Sequence, residues 1–273
     1  MEIQWSLVLF TAISGTGACY FSFAVLQALL GKAEMPKMLD CIISVVLLGV
    51  GGMISVTHII YHVDRIVEAL SNPTSGIFIE ACGVGIMCVL ILIYFLMVWR
   101  NTAEMPRKVV AILIMVVGIV FAFECGNSYS MESRPAWTTW LLPLGYCLTA
   151  IGAGAALNLM VKALTKTSQE TLSFAGLLTL IGCALGILGN VMFIVSASAQ
   201  AIEANGGITW CVLTIVLMVI AAALGALAYK KSENALSIGT CATICAVVSA
   251  VGYRIVMWLV GAPLLNFFLM ALD

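Results

Sequence analysis

Five ionisable side chains lie inside or at the rim of long apolar runs: His58, His62, Glu80, Glu124 and Arg254. A charge at the centre of a bilayer costs about 3 kcal/mol even on the lenient insertion scale, so such groups face partners or watery cavities and often mark a pathway. Glu80 is the sharpest case. Ile77-Phe78-Ile79 precede it and Ala81-Cys82-Gly83-Val84 follow, so a partner that shares its desolvation must come from another helix. His58 and His62 are spaced i, i+4 and lie one above the other on a helix face, with Tyr61, Asp64 and Arg65 just beyond.

Imidazole changes protonation near neutral pH unperturbed, and a carboxylate does so once desolvated, so His58 and Glu80 form the simplest pair able to take protons from a quinol. The cluster suits an organic headgroup held between helices while its apolar tail stays in lipid. Structural roles compete with this reading: an ion pair or protonated acid in helix packing for Glu80, a hydrogen-bonded core histidine for His58, an interfacial residue for His62. Bis-histidine haem needs ligands on opposite sides of the iron, and two imidazoles on one helix face cannot supply them. The ten cysteines lie almost all in or beside apolar runs, with no Cys-x-x-Cys spacing, and read as small core residues. No metal site, haem or iron-sulfur cluster is expected in this chain.

The elements that must position these groups follow from composition. Of 273 residues, 63% are hydrophobic and 9% charged, against about 25% charged in a soluble domain, and the mean hydropathy is +1.14. A spanning helix needs about 20 mostly apolar residues. Eight runs qualify, at residues 4–30, 38–62, 75–99, 108–125, 138–162, 171–199, 208–229 and 236–259, predicting an all-α polytopic bundle that forms a single membrane domain over residues 1–273. The loops are too short for a folded extramembrane domain. The tail from Val260 to Asp273 is too short to span again and is expected at the interface. No internal repeat is visible; Gly182 and Gly186 make a small-xxx-small step that lets helices approach. Met1-Glu2-Ile3-Gln4-Trp5 lacks the basic start of a removable signal peptide, so the first helix is expected to stay. A net charge of −1 and a pI near 6.1 fit neither a nucleic-acid binder nor a polybasic lipid sensor, since no positive surplus attracts phosphate.

Lys and Arg accumulate in short cytoplasmic loops. Lys32, Lys37, Arg100, Arg107, Lys108, Lys162, Lys166, Lys230 and Lys231 fall in odd-numbered loops, nine of the twelve cations; Arg65, Arg134 and Arg254 fall at the opposite helix ends. Both termini are therefore expected outside, with the ionisable cluster toward the outer face. Trp5, Trp137, Trp140, Trp210 and Trp258 then belong to an outer aromatic belt, and Trp99 to the inner one.

Several landmarks resemble the membrane anchor subunits of dimethyl sulfoxide reductases over most of the chain. Trp5-Ser6-Leu7-Val8-Leu9-Phe10-Thr11 is similar to that family's first helix. Ser55-Val56-Thr57-His58 looks like the end of its second, followed by an arginine-bearing loop and a Leu-Ser-Asn-like stretch, here Leu70-Ser71-Asn72. Glu80 falls where the family has a helix 3 glutamate. Pro135-Ala136-Trp137 through Leu144-Gly145 resembles its Pro-x-Trp entry to helix 5, and Gly252-Tyr253-Arg254 its Gly-Arg in helix 8. Two departures accompany these: Ile59-Ile60-Tyr61-His62-Val63 replaces a Leu-Gly-x-Pro turn, so helix 2 runs longer and Arg65 is displaced by one residue, and Tyr253 separates Gly252 from Arg254.

The resemblance implies an eight-helix subunit of a prokaryotic cytoplasmic membrane. It would oxidise menaquinol to menaquinone near the outer surface through His58 and Glu80; from the reading of the outer polar cluster, Tyr61, Arg65, Glu124 and Arg254 are further pocket candidates. It also implies membrane lipids as surroundings and two partners, an iron-sulfur electron-transfer subunit and a molybdopterin catalytic subunit in anaerobic respiration. Two other classes stay open at the level of sequence. A proton-coupled secondary transporter would use the same buried ions, but the paired broken helices and inverted halves common in transporters are not visible, and uptake by this chain in liposomes would favour it. In a passive structural anchor, substitutions in the outer polar cluster would alter assembly but not quinol affinity.

Overall fold

The computed structural model describes residues 3–59, 71–197, 202–203 and 206–261. Among the described residues, eight long helices emerge where the apolar runs predict them: α1 Trp5–Leu29, α2 Met38–Ile59, α3 Gly76–Trp99, α4 Glu104–Asn127, α5 Leu141–Leu164, α6 Gln169–Ser196, α7 Gly207–Lys230 and α8 Ala235–Val260. All eight are long and apolar enough to cross a membrane; among the described residues there is no strand. Helix α4 begins four residues before its apolar run because Pro106, in the first turn, needs no acceptor for a missing N–H. The stretch of the second run past Ile59 lies outside the described residues.

Local chemistry sets the helix ends. Ser75 caps α3 by accepting from Phe78 N at 3.1 Å, and Ser168 caps α6 by accepting from Thr171 N at 3.2 Å. Helices α1, α3 and α5 each close on a residue of positive φ, namely Gly31, Asn101 and Lys166. The N–H of the next residue reaches back five positions, Lys32 to Gln27, Thr102 to Met97 and Thr167 to Lys162, which satisfies carbonyls that a helix end leaves unpaired.

These three ends gather on one side of the bundle. Tyr94 Oη donates to Pro36 O at 2.9 Å, Lys32 pairs with Glu170 at 2.7 Å, and Ser232 donates to Gln169. The cation-rich odd-numbered loops thus share one end. The first and last described residues share the other, where Arg134 Nη1 donates to Gly261 O at 2.6 Å.

Helix neighbours form two rings. Helix α1 packs on α2, α2 on α3, α3 on α4 and α4 on α1; α5, α6, α7 and α8 close in the same way. The rings meet along α1 and α5, flanked by the pairs α4–α5 and α1–α8. Three helices of the second ring repeat the spacing of the first: α6, α7 and α8 begin at residues 169, 207 and 235, each 131 after α2, α3 and α4 at 38, 76 and 104. Side-chain identity does not show this repetition, because lipid-facing and packing positions accept many apolar residues.

Helices in lipid gain nothing from leaving water, so close packing of small residues carries association. A Cβ on Gly154 of α5 would come 2.6 Å from the Cys19 backbone of α1, which is why the seam tolerates no side chain there. Gly182 lies against Ala155 and Gly186 against Met218, so the small-xxx-small step is used on two neighbouring helices. Helices α1 and α5 are mostly buried, whereas α3 shows Ile86, Val89, Leu92 and Ile93 to the lipid side.

Candidate functional site

The end of the bundle that carries the first and last described residues holds a cavity of about 330 Å³, within the usual range for a small-molecule site. Helix α3 supplies Gly76, Ile77 and Glu80 to its wall, α2 supplies Ser55, α1 supplies Leu7, and α8 supplies Trp258. The segment after α4 adds Ser128, Tyr129, Met131, Arg134 and Trp137.

Glu80 is 6% exposed. Its Oε1 accepts a 2.6 Å hydrogen bond from Ser128 Oγ, the partner from another element that its apolar surroundings demand. Ser128 is the residue on which α4 ends. It reaches Glu80 because α3 turns its smallest residues toward α4: a Cβ on Gly76 would lie 2.9 Å from Ser128, and one on Gly83 would lie 2.6 Å from the Phe121 ring. Positions 76, 80 and 83 fall on one helix face, so two glycines bring the backbones together and the carboxylate fills the space between them. Among the described residues no cation forms an ion pair with Glu80.

Opposite the carboxylate stands an aromatic wall. Tyr129 meets Trp137 and Trp258 edge to face and stacks on Tyr146 at 5.8 Å. Trp137 Nε1 donates to Met257 O at 2.8 Å, and the Arg134 guanidinium sits 4.3 Å from the centre of the Trp137 ring. The indole N–H of Trp258 is buried with no acceptor among the described residues. Trp137 and Trp258 are therefore buried packing residues and not lipid-facing members of a belt; Trp5 and Trp140, at 51% and 65% exposure, fit the belt expectation. An aromatic residue near a span end has the same sequence signature whichever way it points.

The remaining expected site residues separate. His58 belongs to α2, three residues after Ser55, but its side chain is outside the description, as are Tyr61, His62, Asp64 and Arg65. Glu124 sits one turn before Ser128, half-buried, accepts from Asn127 Nδ2 at 3.1 Å, and does not line the cavity. Arg254 is fully buried inside the bundle: Nε donates to Thr11 Oγ1 at 2.7 Å, Nη2 to Thr11 O at 3.1 Å and Nη1 to Ala250 O at 2.7 Å. It lies 4.3 Å from the ring centre of Tyr146, so two tyrosines stand between it and the cavity. Sequence reasoning missed Ser128, Tyr129 and the inward face of Trp258, although the Ser128-Tyr129 dipeptide at the end of a run was the signal available for the first two.

A buried acid, a hydroxyl donor, a guanidinium and an aromatic wall around one cavity suit a flat ring bearing oxygen. The sequence profile of the family described as DMSO reductase anchor subunit (DmsC) matches residues 1–258. The chain belongs to this family. Among curated proteins, none matches the chain by sequence. A DMSO reductase anchor is a membrane subunit associated with catalytic and electron-transfer subunits, and the eight helices of this chain that are long and apolar enough to cross a membrane agree with that role.

Proposed function

We propose that this chain is the quinol-oxidising anchor of a DMSO reductase-type complex in a prokaryotic cytoplasmic membrane, with its termini and the Glu80 cavity on the outer side. The buried carboxylate of Glu80, bordering a cavity and hydrogen-bonded to Ser128, carries the reading. Menaquinol supplies two electrons and two protons when oxidised to menaquinone. Glu80 accepts one proton at its carboxylate, with Ser128 holding that group toward the cavity, and His58 accepts the other at its imidazole. Tyr61 and Arg65, which lie outside the described residues, are further quinol-contacting candidates in this reading. The Trp137–Trp258–Tyr129 wall packs against the ring face and excludes water. Glu124 provides an acidic exit for protons one turn from Ser128, and Arg254 sets a positive field behind Tyr146. Electrons leave to an iron-sulfur subunit docked at this end and pass on to a molybdopterin subunit.

The test is quinol oxidation by the purified complex carrying Glu80→Gln or His58→Ala. Both variants should assemble with their partners and lose turnover; wild-type turnover in both would remove the site. Assembly loss with unchanged quinol affinity would favour the passive anchor.

A further inference from the structure

The opposite end of the bundle holds a larger cavity, about 590 Å³, between the α1–α2 and α5–α6 connections. At its floor lies Lys162, only 7% exposed. Its Nζ is 3.7 Å from Asp40 Oδ1, beyond hydrogen-bond reach, and Asp40 is already engaged: Tyr20 Oη donates to Oδ1 at 2.5 Å and the Lys37 N–H to Oδ2 at 2.7 Å. A buried ammonium carries three donors, and no acceptor within hydrogen-bond distance meets them among the described residues. The other acids of the cavity are occupied as well, Glu34 by Lys37 and Glu170 by Lys32, each at 2.7 Å. Lys166, on the rim, is in no ion pair among the described residues. The first turn of α6 also borders this space through Ser168, Glu170 and Thr171; the Thr171 N–H is taken by the Ser168 cap, and the Glu170 N–H precedes the first intrahelical bond.

We propose that this cavity binds a phosphate group, carried on the head of an anionic phospholipid or free in solution. Lys162 and the start of α6 receive the phosphate oxygens at the floor, and Lys166 closes over them. Met35 and Leu39 at the margin give an acyl chain an apolar path away from the site. Basic pockets between spanning helices on the cytoplasmic side are a recurrent lipid-binding arrangement. The site lies at the far end from Glu80 and does not depend on the quinol reading.

The purified complex is reconstituted into discs of phosphatidylcholine, of phosphatidylcholine with phosphatidylglycerol, and of phosphatidylcholine with added inorganic phosphate. Thermal unfolding and native mass spectrometry of retained lipid are then measured. Phosphatidylglycerol should raise the unfolding temperature and stay bound; Lys162→Met should abolish both effects, and Lys166→Gln should weaken retention about fivefold. Equal stabilisation by inorganic phosphate would assign the site to the free anion. The proposal is overturned if neither additive stabilises the wild type, or if Lys166→Gln responds like wild type; that exposed variant decides the matter should Lys162→Met not fold.

Discussion

Gly83→Ala places one methyl group where α3 and α4 touch, three residues from Glu80, without changing any residue that lines the cavity. The new Cβ would stand 2.6 Å and 3.0 Å from two ring carbons of Phe121, a side chain that is itself 3% exposed and has nowhere to swing. Restoring an ordinary contact of 3.4 Å requires the helices to part by roughly 0.8 Å, the difference between 3.4 and 2.6. The same movement lengthens the 2.6 Å bond from Ser128 to Glu80 to about 3.4 Å, past the range of a good O–H···O bond. A hydrogen bond to an ionised group contributes about 1.5–3 kcal/mol, so the correctly placed carboxylate becomes about tenfold rarer or worse. Stability changes less, because overpacking costs about 1–3 kcal/mol while exchanging glycine for alanine in a helix returns about 1 kcal/mol. Quinol oxidation by the purified complex should therefore fall about tenfold with a small drop in unfolding temperature. Gly85→Ala is the control: nothing lies within 4 Å of its Cβ, and it should leave activity intact. Full activity in Gly83→Ala, or equal damage in Gly85→Ala, would refute the reasoning that helix approach positions the acid.

Arg254→Met should leave the unfolding temperature equal to or above wild type, since the Thr11 and Ala250 carbonyls keep their helical bonds and a buried cation without a carboxylate partner is costly to hold; a fall of many degrees would show that the guanidinium is structurally required. Tyr20→Phe removes the donor to Asp40 Oδ1 and should destabilise the chain by about 1–3 kcal/mol, read by thermal unfolding in detergent; no change would mean that Asp40 finds another donor. For sidedness, Asn101→Cys should react with a membrane-impermeant thiol reagent only in inside-out vesicles and Ser130→Cys only in intact cells, both positions being in exposed connections; the reverse pattern would invert the orientation.

The spans were legible because an apolar stretch of this length has few other uses, and their bounds differ from the helices mainly where a cap or a first-turn proline extends the end, as at Glu104. Glu80 was legible for the same reason: a carboxylate between Ile79 and Ala81 must be explained. What it bonds to was not, because Ser128 is distant in the chain and meets it only through the contact made by Gly76 and Gly83. Arg254 illustrates the converse. Its depth could be read from its run, but whether a guanidinium points at a cavity or into a seam depends on α1 and α5, which the local sequence does not encode. Lys162 counted as one more cation beside a loop, yet α1 and α2 fold over it and make it the most buried lysine of its end. Net charge, which excluded a polybasic lipid sensor, said nothing about a local arrangement of this kind.

The paired rings bear on how the chain is made. Each ring closes on itself within about half of the polypeptide, so the first four helices can find all their ring partners while the ribosome is still translating the rest, and the later four need add only one seam. Cutting the chain in the connection between α4 and α5 and co-expressing the two pieces should therefore reconstitute a full subunit, with α1 and α5 as the zip that rejoins them.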